Sequence, residues 1–112
     1  MNITYIAQEL LKNNVKARRS VPGQNLHLAL MPATDSDPRM RLSIYCQYLR
    51  PTENETKLAQ TAVKNHLRSK YQKTHPPKIT IIEFSHESYH GYHFFWVEEP
   101  APIQCQFALN CG

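Results

Sequence analysis

The sequence predicts an α+β fold in which two helices cover one face of a single antiparallel sheet of four to five strands. Apolar residues recur at helical spacing in two segments and alternate with strand spacing in others, and prolines and turn formers separate these segments. The predicted order is α-β-β-α-β-β, with a further strand at the end. A chain of 112 residues suits one domain, so residues 1–112 are expected to form a single domain.

The first helix is predicted over residues 3–15. Ile3, Ile6 and Leu10 recur at intervals of three and four, so they share one face that can pack against a core. Asn2 is the expected N-cap, because its side-chain oxygen can accept a hydrogen bond from a free N–H of the first turn. The Val21-Pro22-Gly23-Gln24 segment then prevents the helix from continuing.

The second helix is predicted between Pro51 and the Pro76-Pro77 pair, with either Thr52 or Asn54 as its N-cap. Residues of its inner stripe step by four along the chain: Ala59, Val63, Leu67 and Tyr71. Basic residues occupy the opposite side, as is usual for the solvated face of an amphipathic helix.

Two strands are predicted between the helices. They cover residues 26–31 and 40–48, and a seven-residue hairpin loop from Pro32 to Pro38 joins them. Alternation in the second strand is the clearest in the chain. Its predicted core face consists of Met40, Leu42, Ile44, Cys46 and Tyr48.

Three more strands are predicted after the second helix. Residues 79–85 are apolar on both faces, which is typical of a central strand, and a turn at residues 88–91 joins them to the aromatic strand 92–97. Residues 103–109 alternate again and follow two prolines, so they are expected at a sheet edge.

Charge is distributed unevenly along the chain. All 13 Lys and Arg residues lie in segment 1–78 together with five acidic residues, whereas the remainder contains four glutamates and no Lys or Arg. The two parts therefore carry formal charges of +8 and −4, within a total of +4. Such a charge distribution can steer a polyanion towards one end of a molecule.

Composition also makes several classes of protein improbable. Three cysteines, Cys46, Cys105 and Cys111, cannot all form disulfides with one another, which favours a reducing compartment, and we expect the cytoplasm. No apolar run is long enough to span a membrane, so no membrane partner is expected. Three glycines are too few for a Gly-rich phosphate loop, and no catalytic signature is present, so we expect neither enzymatic activity nor a cofactor.

The leading hypothesis is a small, basic, non-enzymatic module that binds nucleic acid through the Lys and Arg residues of segment 16–73. Clustered cations bind phosphates, and exposed aromatic rings stack on unpaired bases. Three cations are expected in the turn after the first helix, two arginines on a strand face with an aromatic ring, and three cations on the second helix. The candidate residues are Lys16, Arg18, Arg19, Arg39, Arg41, Tyr45, Lys57, Lys64 and Arg68.

A second hypothesis is a protein interaction or assembly module, such as a homodimer. Large aromatic residues fall on both faces of the predicted strand 92–97, so rings on an uncovered face would need the C-terminal segment or another chain to bury them. Protein interfaces are enriched in such residues. The candidate interface residues are Tyr89, Tyr92, Phe94, Phe95 and Trp96.

A third hypothesis is metal binding by His86, His90 and His93 in the predicted C-terminal hairpin. Imidazole is a common ligand of zinc and other transition metals. The spacing of these histidines matches no usual metal signature, and no C-x-x-C pair accompanies them. The sequence therefore makes a metal site the weakest of the three hypotheses.

Overall fold

Two helices and five strands make up the fold in a computed structural model that describes residues 2–71 and 75–98. In chain order they are α1 (Ile3–Asn13), β1 (Ala17–Ser20), β2 (His27–Met31), β3 (Arg39–Gln47), α2 (Glu53–Tyr71), β4 (Thr80–His86) and β5 (Tyr89–Val97). The strands form one sheet in the order β1-β2-β3-β5-β4, and all neighbours are antiparallel. The predicted α+β class is confirmed.

Strand β1 is an addition to the predicted order, because the sequence had indicated a basic turn in this segment. Its backbone pairs with β2, with Ala17 opposite Leu30 and Ser20 opposite His27. Ala17 is half-buried and the other three residues of β1, Arg18, Arg19 and Ser20, are polar and exposed. The sequence of this strand therefore lacks the alternation of apolar and polar residues by which a strand is usually predicted. The strand predicted over residues 103–109 lies outside the described residues.

The predicted central position of residues 79–85 is wrong. Among the five described strands, β4 is at an edge of the sheet, where Ile81 and Ile82 are 42% and 44% exposed, and β5 lies between β3 and β4. An apolar composition on both faces indicates a strand but does not determine its neighbours. The turn is also shorter than predicted, because β4 ends at His86 and β5 begins at Tyr89. Glu87 adopts a left-handed φ of 56° there.

The core lies between the helices and one face of the sheet. The two helices contribute Ile3, Ile6, Ala7, Leu10, Leu11, Ala59, Ala62, Val63 and Leu67, and the sheet and its adjoining loop contribute Val21, Leu26, Leu28, Leu30, Met40, Leu42, Ile44, Cys46, Phe94 and Trp96. Tyr48 was predicted on this face but is 72% exposed, because β3 ends at Gln47 and Tyr48 turns away with a φ of 69°.

Both helices begin at caps that the sequence had indicated. The side-chain oxygen of Asn2 accepts a hydrogen bond from the Tyr5 N–H at 2.8 Å. At α2, the Thr52 hydroxyl accepts from the Glu55 N–H at 3.1 Å, and the Glu55 carboxylate accepts from the Thr52 N–H at 2.8 Å. This reciprocal capping box identifies Thr52, and not Asn54, as the N-cap.

The end of β5 is attached to α2 through Glu98. Its carboxylate accepts hydrogen bonds from the Trp96 indole at 2.8 Å and from the Lys70 ammonium at 2.5 Å. Burial raises the pKa of Glu98, but these hydrogen bonds outweigh it and leave the pKa below its usual value. Neither helix in the described part of the chain has the length and apolarity needed to cross a membrane.

Candidate nucleic-acid interface

The sheet face that points away from the helices is called the open face here. Residues directly opposite each other on antiparallel strands point to the same side, so the register assigns every strand residue to one face. Positions that alternate with the buried residues of β2, β3 and β5 therefore belong to the open face. Side chains at one end of this face are mainly aromatic, and those at the other end include two arginines.

The aromatic end is built around Tyr45. Its ring meets the edges of the Phe84 and Tyr89 rings at centroid distances of 6.2 and 5.7 Å, and the His27 ring lies 5.4 Å away. Gly91 lies opposite both Tyr45 and Phe84 in the register. Because it has no side chain, the two rings can approach each other across β5.

His93 extends this aromatic cluster along β5. Its ring stacks on Phe84 with a centroid distance of 3.9 Å and an interplanar angle of 2°, and its Nδ1 is 2.7 Å from the Ser43 hydroxyl. Burial, and secondarily the charge of Arg41, lowers the pKa of His93 to about 4. At neutral pH the imidazole is therefore an uncharged ring. The aromatic platform is the set of rings in contact here, namely His27, Tyr45, Phe84, Tyr89 and His93.

The other end of the open face has Arg39, Arg41 and Phe95. The Arg39 guanidinium lies 4.3 Å above the Phe95 ring, and Asp37 accepts two hydrogen bonds from it at 3.1 Å. These hydrogen bonds lower the pKa of Asp37 and raise that of Arg39. Arg41 on β3 lies opposite Met31 on β2 and opposite Phe95 on β5.

No carboxylate lies on the open face within the five described strands. Glu83, the acidic residue of β4, pairs with Tyr92 and so belongs to the opposite face. Asp37 precedes β3 and bonds Arg39. The open face therefore combines aromatic rings with positive charge, and little negative charge opposes an approaching anion.

The structure brings only some of the predicted cations together. Arg18, Arg39 and Arg41 are on the open face, where Tyr45 also lies, and Lys16 lines a cleft with Arg18 and Arg41. Arg19 differs, since it pairs with the buried Leu28 and therefore points to the helix side of the sheet.

The three cations of α2 are on the other side of the molecule from the open face. Lys57, Lys64 and Arg68 are exposed on the helix layer, and Lys57 lies 3.8 Å from Glu53. Lys64 and Arg68 line a groove between α2 and residues 76–79. The nine predicted residues therefore do not form one surface.

The five predicted interface residues are also divided between the two faces. Tyr89 and Phe95 lie on the open face, whereas Tyr92 packs against the core. Phe94 and Trp96 are 0% and 2% exposed beneath the helices. Their inclusion in an exposed interface is therefore corrected, because strand alternation turns them into the core.

The three candidate metal ligands do not converge. His86 and His93 lie on the open face, whereas His90 lies on the other face and its Nδ1 is 2.8 Å from the Ser85 hydroxyl. Within residues 2–71 and 75–98, no group of three His, Cys, Asp or Glu side chains is placed to hold a metal ion.

Sequence reasoning missed Phe84, His27 and His93 as members of the aromatic platform. Alternation along β2, β4 and β5 places each of these residues on the face opposite to its chain neighbours, and this much can be seen in the sequence. The pairing of β4 with β5 and of β2 with β3 was needed to place them beside Tyr45.

Comparison with known proteins finds no matching family model, no matching curated protein and no matching solved structure.

Proposed function

We propose that this protein is a non-enzymatic module that binds single-stranded nucleic acid on its open face. The observation that supports the proposal is the juxtaposition of Tyr45 and its neighbouring rings with Arg18, Arg39 and Arg41 on a face without strand carboxylates. Unpaired bases stack on aromatic side chains, and arginines bind the phosphates that connect them.

A single strand suits this face better than a duplex does. Bases in a duplex are stacked on each other and expose only their edges, whereas a single strand can turn its bases onto a flat ring. Tyr45 is half-buried between its neighbours, so its ring is held in place before a base arrives. A preorganised ring loses little conformational entropy on binding.

Tyr45→Ala is the direct test of the stacking role. We expect an affinity loss of about 5-fold to 150-fold for a fluorescent single-stranded oligonucleotide, as stacking contributes about 1–3 kcal/mol per base. Tyr48→Ala is the matched control, because Tyr48 is 72% exposed and follows the end of β3. Equal losses in the two variants, or tighter binding of a duplex of the same sequence, would contradict the proposal.

Salt dependence tests the role of the arginines. Affinity is expected to fall steeply with added salt, and the slope should decrease in Arg41→Ala because one fewer counterion is released. Arg68→Ala, on the helix layer, should leave the slope unchanged. If Arg68→Ala reduces the slope and Arg41→Ala does not, the helix layer and not the open face binds the polyanion.

The second hypothesis, self-association, predicts a different result. A homodimer formed through the open face would give a light-scattering mass that rises with protein concentration, and Tyr45→Ala would abolish this rise.

The proposed setting is the cytoplasm, where the free, buried thiol of Cys46 remains reduced.

A further inference from the structure

A cleft of about 360 Å³ lies on the open face between β1 and β3. Ala29 is one of its lining residues, and in the register it lies opposite Arg18 on β1 and opposite Ser43 on β3. Because alanine has a short side chain, the longer side chains around it leave a concave space. Lys16 and Arg41 line the same cleft.

The charge of this cleft is positive, although Asp37, whose pKa is lowered mainly by its hydrogen bonds with Arg39, also interacts with the charge of Arg41. The cleft lining includes Lys16, Arg18 and Arg41 and no carboxylate. Within the described part of the chain, none of these three cations forms a salt bridge. By contrast, the neighbouring Arg39 forms a salt bridge with Asp37.

Arg41, which lines this cleft, also carries an unsatisfied hydrogen-bond donor. Among residues 2–71 and 75–98, the Nε of Arg41 is the one buried side-chain nitrogen or oxygen without a hydrogen-bond partner. Leaving a buried donor of a charged group unpaired is unfavourable, so the Arg41 guanidinium is expected to turn its Nε–H towards an anion that enters the cleft.

We infer that the cleft over Ala29 binds a phosphate group, with Lys16, Arg18 and Arg41 as its ligands. This inference rests on the proposed function, in which the phosphate belongs to the bound strand. Arginine matches a phosphate with two parallel N–H groups, and lysine adds a point charge. Ala29 and His27 are two residues apart on β2, so the cleft lies about 7 Å along the strand from the aromatic end.

This arrangement orders the ligand along the sheet. When a base stacks at Tyr45, one of its two flanking phosphates is directed towards Arg18 and Arg41, because both arginines lie on the same side of the aromatic end in the register. The cleft therefore fixes the position of the strand, and the ring binds the base without sequence preference.

Titration with inorganic phosphate tests the cleft independently of nucleic acid. We expect a saturable change in the NMR signal of the Arg41 Nε–H and in the backbone amide of Ala29. Ala29→Leu fills the cleft and should weaken phosphate binding at least tenfold, whereas Ala33→Leu, at an exposed loop position, should not change it. Arg41→Lys keeps the charge but removes the Nε donor, and is expected to weaken binding as well.

Circular dichroism is the check that each variant is folded, and Arg41→Lys remains informative if Ala29→Leu does not fold. The inference is overturned if phosphate perturbs the Lys64 and Arg68 signals instead, or if both cleft variants bind phosphate as the parent does. Phosphate binding in the cleft with no Tyr45-dependent oligonucleotide binding would refute the proposed function alone. Tyr45-dependent oligonucleotide binding that Ala29→Leu and Arg41→Lys leave unchanged would refute the phosphate site alone.

Discussion

Arg50 connects the edge strand β4 to the rest of the sheet, so Arg50→Met is expected to destabilise the protein. The Arg50 guanidinium donates hydrogen bonds to the carbonyl oxygens of Phe84 at 3.3 Å and Gly91 at 3.0 Å, and to the Ser85 hydroxyl at 3.1 Å. It also lies 3.2 Å from the Glu83 carboxylate. Methionine keeps most of the apolar stem and removes all of these polar contacts.

The expected loss is about 2 kcal/mol in the free energy of unfolding. A hydrogen bond from a charged donor contributes about 1.5–3 kcal/mol when it is shielded from water, and the two carbonyl bonds are partly buried. The ion pair with Glu83 adds little, because the Glu83 side chain is 62% exposed and water screens it. In a chain of this size, a loss of about 2 kcal/mol lowers Tm by about 8 °C.

Urea unfolding followed by Trp96 fluorescence measures this loss, and amide hydrogen exchange locates it. Exchange in β4 should accelerate more than exchange in β2, because Arg50 contacts β4 and β5. Arg19→Met is the matched control: Arg19 is exposed on β1, and we expect a change within about 0.5 kcal/mol. If Arg50→Met costs no more than Arg19→Met, the strand-bridging role of Arg50 is wrong.

Three further predictions concern the close approach of two strands, a helix cap and pH. Gly91→Ala should lower the free energy of unfolding by about 2 kcal/mol or more in urea, because the added Cβ would collide with the Ile44 carbonyl oxygen. Thr52→Ala should cost about 1 kcal/mol by the same measurement, since the Glu55 N–H loses its capping acceptor. The folded-state pKa of His93, about 4, is below its ordinary 6.5, so the unfolded chain takes up the proton first as pH falls. Stability should therefore decrease by about 2 kcal/mol between pH 6.5 and 4, after allowance for partial exposure, and His93→Gln should reduce this decrease.

Each of these predictions has a result that would contradict it. Gly23→Ala provides a comparison for Gly91, because a Cβ at Gly23 meets nothing within 4 Å although its φ of 76° adds strain. A smaller loss for Gly91→Ala than for Gly23→Ala would contradict the predicted collision. Asn54→Ala should be nearly neutral if Thr52 is the cap, and an equal cost at both positions would argue against that assignment. An NMR titration that places the pKa of His93 at 6 or above would refute the pH prediction.

Local features of the sequence were sufficient to predict most of the secondary structure. Ile3, Ile6 and Leu10 repeat at the helical period, and Met40, Leu42 and Ile44 at the strand period; the core contains all six. The spacing of apolar residues shows which side of a helix or strand is apolar, and that side is buried when the element packs against the rest of the protein. The helix caps and the Pro32–Pro38 loop could be predicted because they depend on neighbouring residues.

The candidate site could be predicted only in part. Arg39, Arg41 and Tyr45 were correctly placed on one face of a strand, because they alternate with the apolar residues of β3. Phe84 and His93 were missed as part of the platform, since their proximity to Tyr45 depends on pairings between distant segments.

The sequence by itself determined the elements and the apolar side of most of them, whereas only the tertiary structure decided which surfaces became neighbours. The order β1-β2-β3-β5-β4 put β4 at an edge and brought the cations of β1 and β3 around Ala29. It also separated these cations from Lys64 and Arg68 by the thickness of the sheet and helices. Periodicity describes one element at a time, and strand pairing is a contact between segments far apart in the chain, so no local pattern specifies it.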